Sequence, residues 1–318
     1  MRRLPAALAA LGIVALGLVG CSASASTAAG CPRPMPSSSA AIDLVHVSGS
    51  TDVAPTVDVN APLNVDQTQW QDLTTGGGTT VTQPNQLVVL DVTLVNGQTG
   101  QRTVSTNYDG DLSRPAPLSQ WEALFPTLGT ALQCATEGSR VVVTLPPDAV
   151  DLANAGNIGI SPGQSAVLVI DLRKVYLPAA DGALQYNDAH GLPTVVRAAD
   201  GRPGIIIPDG DAPTQQVVQV LKKGDGQTVQ SGDSVRVQVT QVNWNTRKVT
   251  NTTWDSTAQS VDLSSTSLPP GFSDALVGQT VGSQILLVTP AGGGADSATV
   301  TVFDIVGIDV PASPQPTP

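Results

Sequence analysis

Histidine, aromatic residues and charge are all scarce in this chain of 318 residues, and each shortage removes a class of chemistry. The two histidines, His46 and His190, are far apart and have no neighbouring ligands, so no metal centre is expected and each reads as a surface residue. Lys and Arg number 15 against 26 Asp and Glu, and the four Trp, three Tyr and three Phe form no stripe beside a basic patch, which argues against nucleic acid as a partner. The loops Asp109-Gly110-Asp111 and Asp209-Gly210-Asp211 lack the remaining calcium ligands and read as turns. Gly76-Gly77-Gly78 has no Lys-Ser/Thr behind it, so it does not cradle phosphate, and no cofactor is expected. Gly159-Ile160-Ser161-Pro162-Gly163 fits the letter of a nucleophile elbow. The proline after the serine removes the backbone N–H that an oxyanion hole would use, and the segment reads as a loop.

Long apolar runs are also rare. The one at the N-terminus, from Leu4 to Gly20, follows Arg2 and Arg3 and has the charge order of a secretory signal rather than the length of a comfortable membrane span. It closes in Leu18-Val19-Gly20-Cys21, which resembles the lipobox of bacterial lipoproteins, where the cysteine is acylated and becomes the mature N-terminus. Two or more acyl chains hold a protein stably at a bilayer, because each buried methylene contributes about 0.8 kcal/mol. The expected location is the extracytoplasmic face of the cell membrane, reached through lipid on Cys21, with residues 1–20 removed. Of three cysteines this leaves Cys31 and Cys134, an even pair in an oxidising compartment, expected to form a disulfide; the alternative is two free thiols. Closing a loop of about 100 residues is worth at most about 4.7 kcal/mol in the chain-entropy model.

What the chain has in abundance is self-similarity. Pro55 to Asn96 and Pro203 to Asn243 repeat one pattern: Gly76-Gly77-Gly78-Thr79-Thr80-Val81 answers Gly224-Asp225-Gly226-Gln227-Thr228-Val229, and each is followed by a Val- and Thr-rich run ending in Asn96 or Asn243. The match resumes at Gly138-Ser139 and Gly282-Ser283, and again at Val169-Ile170-Asp171 and Val302-Phe303-Asp304. A spacing of roughly 150 residues is a domain length, too long for a solenoid. The expected organisation is a tether over residues 21–42, a first domain over 43–178, a second over 203–310 and a proline-rich tail over 311–318. Turn signals at Asp181-Gly182, His190-Gly191 and Asp200-Gly201 mark the junction.

Within each unit the periodicity is that of strands. Val235, Val237 and Val239 alternate with polar residues, and short apolar runs are bounded by Gly and Pro. Helical spacing is confined to Thr127 to Cys134 and Gly271 to Gly278. The fold class is therefore α+β, each unit an antiparallel sheet wrapped on one short helix that covers its apolar face.

The second unit runs Gly224-Asp225-Gly226, Ser231-Gly232-Asp233-Ser234-Val235, Trp254-Asp255-Ser256-Thr257, Leu268-Pro269-Pro270-Gly271-Phe272, Val277-Gly278 and Val302-Phe303-Asp304. In that order it resembles the FKBP-type peptidyl-prolyl cis-trans isomerases over most of Gln216 to Ile308, and the first unit joins it through the repeat. The resemblance implies catalysis of rotation about Xaa-Pro bonds. The barrier is about 18–20 kcal/mol, set by lost amide resonance, and the twisted amide is less charge-separated than the planar one. An apolar, water-poor pocket favours it without nucleophile or metal. In the family, aromatic side chains enclose the proline ring while an aspartate and a flap tyrosine place the peptide.

Carried over residue by residue, the implied substrate-binding set is Val239, Trp254, Asp255, Leu268, Pro269, Phe272 and Phe303. It departs from the family in two places: Val239 stands where a pocket tyrosine belongs, and Ala291-Gly292 opens a flap without tyrosine. The first unit keeps Tyr108-Asp109 but has Val92, Leu128 and Ile170 at the other ring positions, and Leu124-Phe125 for Leu268-Pro269. The expectation is a lipid-anchored isomerase acting on Xaa-Pro segments of exported clients, with reduced activity confined to the second unit. Two other readings stay open: a non-catalytic binder of peptides or envelope proteins, and a spacer lipoprotein.

Overall fold

Alternating β-branched residues favour extended backbone because each pleat sends successive side chains to opposite faces, and here both faces of the central strands are buried. The computed structural model describes residues 31–34, 40–151, 153, 158–186, 190–292 and 296–311. The signal segment, Cys21, much of the tether and nearly all of the tail lie outside them. Strands β1 (Val45–Ser48), β2 (Thr56–Val59), β3 (Gln69–Thr74), β4 (Leu87–Asn96), β5 (Arg102–Ser105) and β6 (Ala116–Pro117) lead into helices α1 (Leu118–Glu122) and α2 (Leu128–Leu132), then β7 (Arg140–Leu145) and β8 (Ala166–Val175). The second series is β9 (Ala183–Leu184), β10 (Thr194–Arg197), β11 (Pro203–Ile206), β12 (Val217–Lys223), β13 (Ser234–Asn243), β14 (Val249–Thr252), β15 (Gln259–Asp262), α3 (Phe272–Leu276), β16 (Gln284–Thr289) and β17 (Thr299–Ile308).

The described chain is mostly antiparallel sheet with few helices, and the strand order repeats. The first sheet runs β3-β7-β8-β4-β5 with β6 on β4, and the second runs β12-β16-β17-β13-β14 with β15 on β13, plus β9 beyond β12. Register repeats as well. Val92 faces Ile170 as Val239 faces Phe303, and a bulge falls at Val89/Leu90 in β4 and at Arg236/Val237 in β13. A two-stranded hairpin accompanies each sheet, β1-β2 and β10-β11. The repeat thus begins with β1 and β10, upstream of the sequence match.

Alternation divides each core in two. Leu90, Val92, Leu168 and Ile170 pack with α1 and α2, whereas Val95, Val167 and Val169 pack with Val45 and Val59 of the first hairpin. In the second half Val237, Val239, Phe303 and Ile305 pack with α3, whereas Val300, Val302 and Leu286 pack with Val195 and Ile205 of the second hairpin. The helices are shorter than their sequence pattern. Cys134 (φ 61°) and Gly278 (φ 80°) lie in the left-handed region, which stops the turn just beyond α2 and α3. Glycine is required where the chain enters the sheets: a Cβ on Gly76 would lie 1.9 Å from Glu137 O, and one on Gly224 2.1 Å from Val281 O. Both glycines donate their N–H to a serine hydroxyl, Ser139 Oγ at 2.9 Å and Ser283 Oγ at 3.0 Å.

Cys31 and Cys134 are disulfide-bonded, with Cα atoms 5.6 Å apart. Beside them Arg33 grips Asp72 with two hydrogen bonds (2.9 and 2.7 Å) and donates to Gln133 O. The described residues from Cys31 onward belong to one compact unit. At its centre Tyr176, almost fully buried, donates its hydroxyl to Asp309 Oδ1 (2.9 Å), and the Leu177 N–H donates to Val306 O. Glycine at 307 makes room for the Tyr176 ring, since a Cβ there would come within 2.5 Å of it.

Candidate functional site

Pro269 and Pro270 cannot continue a strand, and Gly271 turns left-handed (φ 83°) to start α3. The Phe272 N–H donates to Pro269 O, and the ring of Phe272 packs into the core on the helix side of the sheet. There it meets Phe303 edge to face, with ring centroids 4.8 Å apart and planes at 87°. Val239, on the strand beside β17, completes the floor, and Leu268 packs half-buried against it. Of the sequence-expected set, then, Val239, Leu268, Phe272 and Phe303 come together. Pro269 is exposed and serves through its carbonyl.

Trp254 and Asp255 lie apart from that cluster. The turn between β10 and β11 reaches the Trp254 ring: a Cβ on Gly201 would stand 3.4 Å from its far edge. Arg202 Nη2 donates to both Trp254 O (2.9 Å) and Asp255 Oδ1 (2.6 Å). Trp254 itself is buried, and its indole N–H has no hydrogen-bond partner among the described residues. Tyr108, its counterpart, likewise turns to the hairpin side, where its hydroxyl donates to Asp171 Oδ2 (3.0 Å). Burial beside that carboxylate pushes the Tyr108 phenol well above its ordinary range.

The carboxylates Asp171 and Asp304, next in chain to the closing-strand positions 170 and 303, are buried on the hairpin side of each sheet. Asp171 is forked by Arg140, from Nε at 2.7 Å and from Nη2 at 2.8 Å. Asp304 accepts instead from the amide of Gln284 (2.6 Å) and the Ala180 N–H (2.8 Å). Burial raises the carboxyls of both; it pushes Asp304 up to about 6 against those hydrogen bonds and the charges of Lys222 and Arg197. Sequence reasoning missed this pair, though the signal was there: an acid interrupts an otherwise apolar strand at the same place in both copies. Among the described residues no three His, Cys, Asp or Glu side chains gather as metal ligands, and no helix is long and apolar enough to cross a membrane.

No family model matches the chain, and no curated protein matches it. Solved structures do. The three FKBP domains of wheat FKBP73 are 13% identical, covering 76% of this chain and 94% of that one, with a TM-score of 0.32. A peptidyl-prolyl cis-trans isomerase from Pseudomonas syringae is 21% identical over 35% of this chain and 77% of its own, with a TM-score of 0.28. A peptidyl-prolyl cis-trans isomerase FKBP12 from Mycobacterium tuberculosis is 24% identical over 32% of this chain and 90% of its own, with a TM-score of 0.26. These structural neighbours are FKBP-type isomerases, each at low identity and low TM-score.

Proposed function

We propose that the chain is a lipid-anchored FKBP-type peptidyl-prolyl isomerase of the cell envelope, built from two tandem FKBP-like domains over residues 43–178 and 203–310. Its catalysis is confined to the second domain and slower than a full aromatic pocket would give. The observation that carries this reading is the Phe272–Phe303 pair on Val239, formed by the ordered motifs at the helix start and closing strand. A proline ring seated on that apolar floor would leave water as its amide twists, which favours the less polar transition state. Val239 in place of a tyrosine, and the departure of Trp254 from the cluster, leave the peptide less firmly placed. Anchoring through Cys21, at the outer face of the membrane, would put the domains among newly exported chains.

The test is an Xaa-Pro peptide isomerisation assay on the whole mature chain and on Phe272→Ala. A rate above the uncatalysed one that disappears in the variant supports the proposal, and an uncatalysed rate in the parent chain rejects it. A non-catalytic binder that holds a peptide along the sheet edges is the second reading, favoured because the rings leave little surface for a twisting proline: Phe303 is 0% and Phe272 7% exposed. Suppression of aggregation of an unfolded client, without turnover, would select that alternative.

A further inference from the structure

Between the turns by which the chain enters its two sheets lies a cleft of about 410 Å³. Each half lines it with the same part: Glu137, which precedes Gly138-Ser139, and Val281, which precedes Gly282-Ser283. Val175 to Leu177, where the chain leaves β8, and Val306 to Ile308, at the end of β17, give it apolar walls. The volume falls in the range of about 300–1,000 Å³ usual for bound ligands. None of Val239, Phe272 and Phe303 lines it, so the cleft is separate from the ring cluster. Its charge is one-sided. Lys174 is held by the protein itself: Nζ donates to Ile308 O (2.5 Å) and lies 4.8 Å from the centre of the Tyr176 ring, with the charge of Glu137 acting on it. Asp181 and Asp225 remain, and neither makes an ion pair among the described residues. Lys222 and Asp225 both act on Asp181 through their charges, but Lys222 donates to Ala180 O (2.6 Å). The turn itself does not require Asp225. At the equivalent place the first half has Gly77, where a Cβ would meet nothing within 4 Å, so a side chain at that place closes no contact of the turn.

We propose that this cleft docks an extended polypeptide segment in which a lysine or arginine stands next to an apolar residue, the cation lying between Asp181 and Asp225 and its neighbour against Val281, Leu177 and Ile308. The charges of Glu137 and Lys174 offset each other across the cleft, whereas those of Asp181 and Asp225 do not, and a guest cation answers that excess. Val281, Leu177 and Ile308 are half-buried, and a covering side chain removes their remaining contact with water. Other guests fit less well. An anion is repelled, and among the described residues no three acidic side chains gather to hold a divalent ion. A wholly apolar guest would strip water from two carboxylates and pair neither. The chain as a whole, with 26 Asp and Glu against 15 Lys and Arg, steers the same kind of partner toward it. The cleft does not rest on the isomerase reading, because it uses no residue of the ring cluster.

The experiment is fluorescence anisotropy of a capped, proline-free peptide, Ala-Ala-Leu-Lys-Val-Ala-Ala with an uncharged dye, titrated with the whole mature chain. The Lys peptide should bind, and the same peptide with Gln in place of Lys should bind about fivefold or more weakly. Asp181→Asn combined with Asp225→Asn should bring the Lys peptide down to the affinity of the Gln peptide. Gln227→Lys, which places a cation of the chain's own at the rim, should weaken it in the same way. Changing the peptide's Leu and Val to Ser should also weaken binding about fivefold or more, which separates docking in the cleft from attraction by surface charge alone. The substituted residues of the chain are exposed, and the changes to the peptide leave the protein untouched, so lost binding is not lost fold. Equal affinity for the Lys and Gln peptides, unchanged binding in the double variant or with the Ser peptide, or no binding tighter than about 1 mM overturns the proposal. The probe contains no proline and reads binding rather than turnover. A chain that binds it but fails the Xaa-Pro assay therefore keeps the cleft and rejects the isomerase, and an active chain that ignores it does the reverse.

Discussion

The two halves share a strand order and differ in what fills it, and the difference separates what the sheet needs from what a site needs. At equivalent positions the first half has Val92, Leu128 and Ile170 and the second has Val239, Phe272 and Phe303, all buried against the helix side. An aliphatic set closes that face as well as an aromatic one does, so packing alone does not demand the rings. On the hairpin side the contrast is electrostatic: an Arg140–Asp171 ion pair in one half, a Gln284–Asp304 hydrogen bond in the other. One copy is locked by a cation inside the sheet, and its twin leaves a buried acid to titrate.

The largest effect expected from breaking this comparison is at Arg140. Arg140→Met strands the Asp171 charge and three hairpin carbonyls, and should cost about 3–5 kcal/mol in denaturant unfolding, whereas Gln284→Met in the second half should cost clearly less. The disulfide belongs to the first half alone. Cys31→Ser should lower unfolding stability by about 2–4 kcal/mol, measured under non-reducing conditions against the parent chain. Catalysis should divide the halves the other way. Phe272→Leu is expected to slow Xaa-Pro isomerisation by about tenfold, or about 1.4 kcal/mol, while Leu128→Ala leaves the rate unchanged; equal losses would erase the proposed division of labour. The smallest effect is on pH dependence. Because the folded Asp304 titrates near 6, above its unfolded value, the stability it contributes is full below the unfolded value and fades as pH rises through 6. Stability should therefore increase by about 1 kcal/mol between pH 7 and pH 5, a gain that Asp304→Asn removes.

Much of the scaffold was legible. The Gly-Gly-Gly and Gly-Asp-Gly turns, the long Val- and Thr-rich runs and the final apolar strands correspond to entry turns, β4 with β13, and β8 with β17. Glycines that admit no Cβ and strands buried on both faces leave strong local marks. The Cys31–Cys134 pair was expected from the even count of cysteines left after Cys21, with two free thiols as the alternative, and the disulfide is present. Helix α1 was missed, since Leu118–Glu122 is a single turn following a proline and carries too few residues to show a period. The first strands of both hairpins escaped as well: β1 and β10 have little residue identity to share, because only their alternation is required.

The site was legible only in part. Phe272 and Phe303 meet as their motif positions suggested, but Trp254, next to an acid in the same motif, is met by the turn of the opposite hairpin. Chain order carried a repeated, β-rich pattern, because that property resides in local backbone preference and in side-chain alternation. Which face each ring occupies, that Tyr176 docks on Asp309, and that Asp304 lacks the arginine its twin enjoys were left to three-dimensional packing. A pleat assigns a side chain to one of two faces, but only the elements stacked on that face decide whether it meets a ring, a guanidinium or an amide.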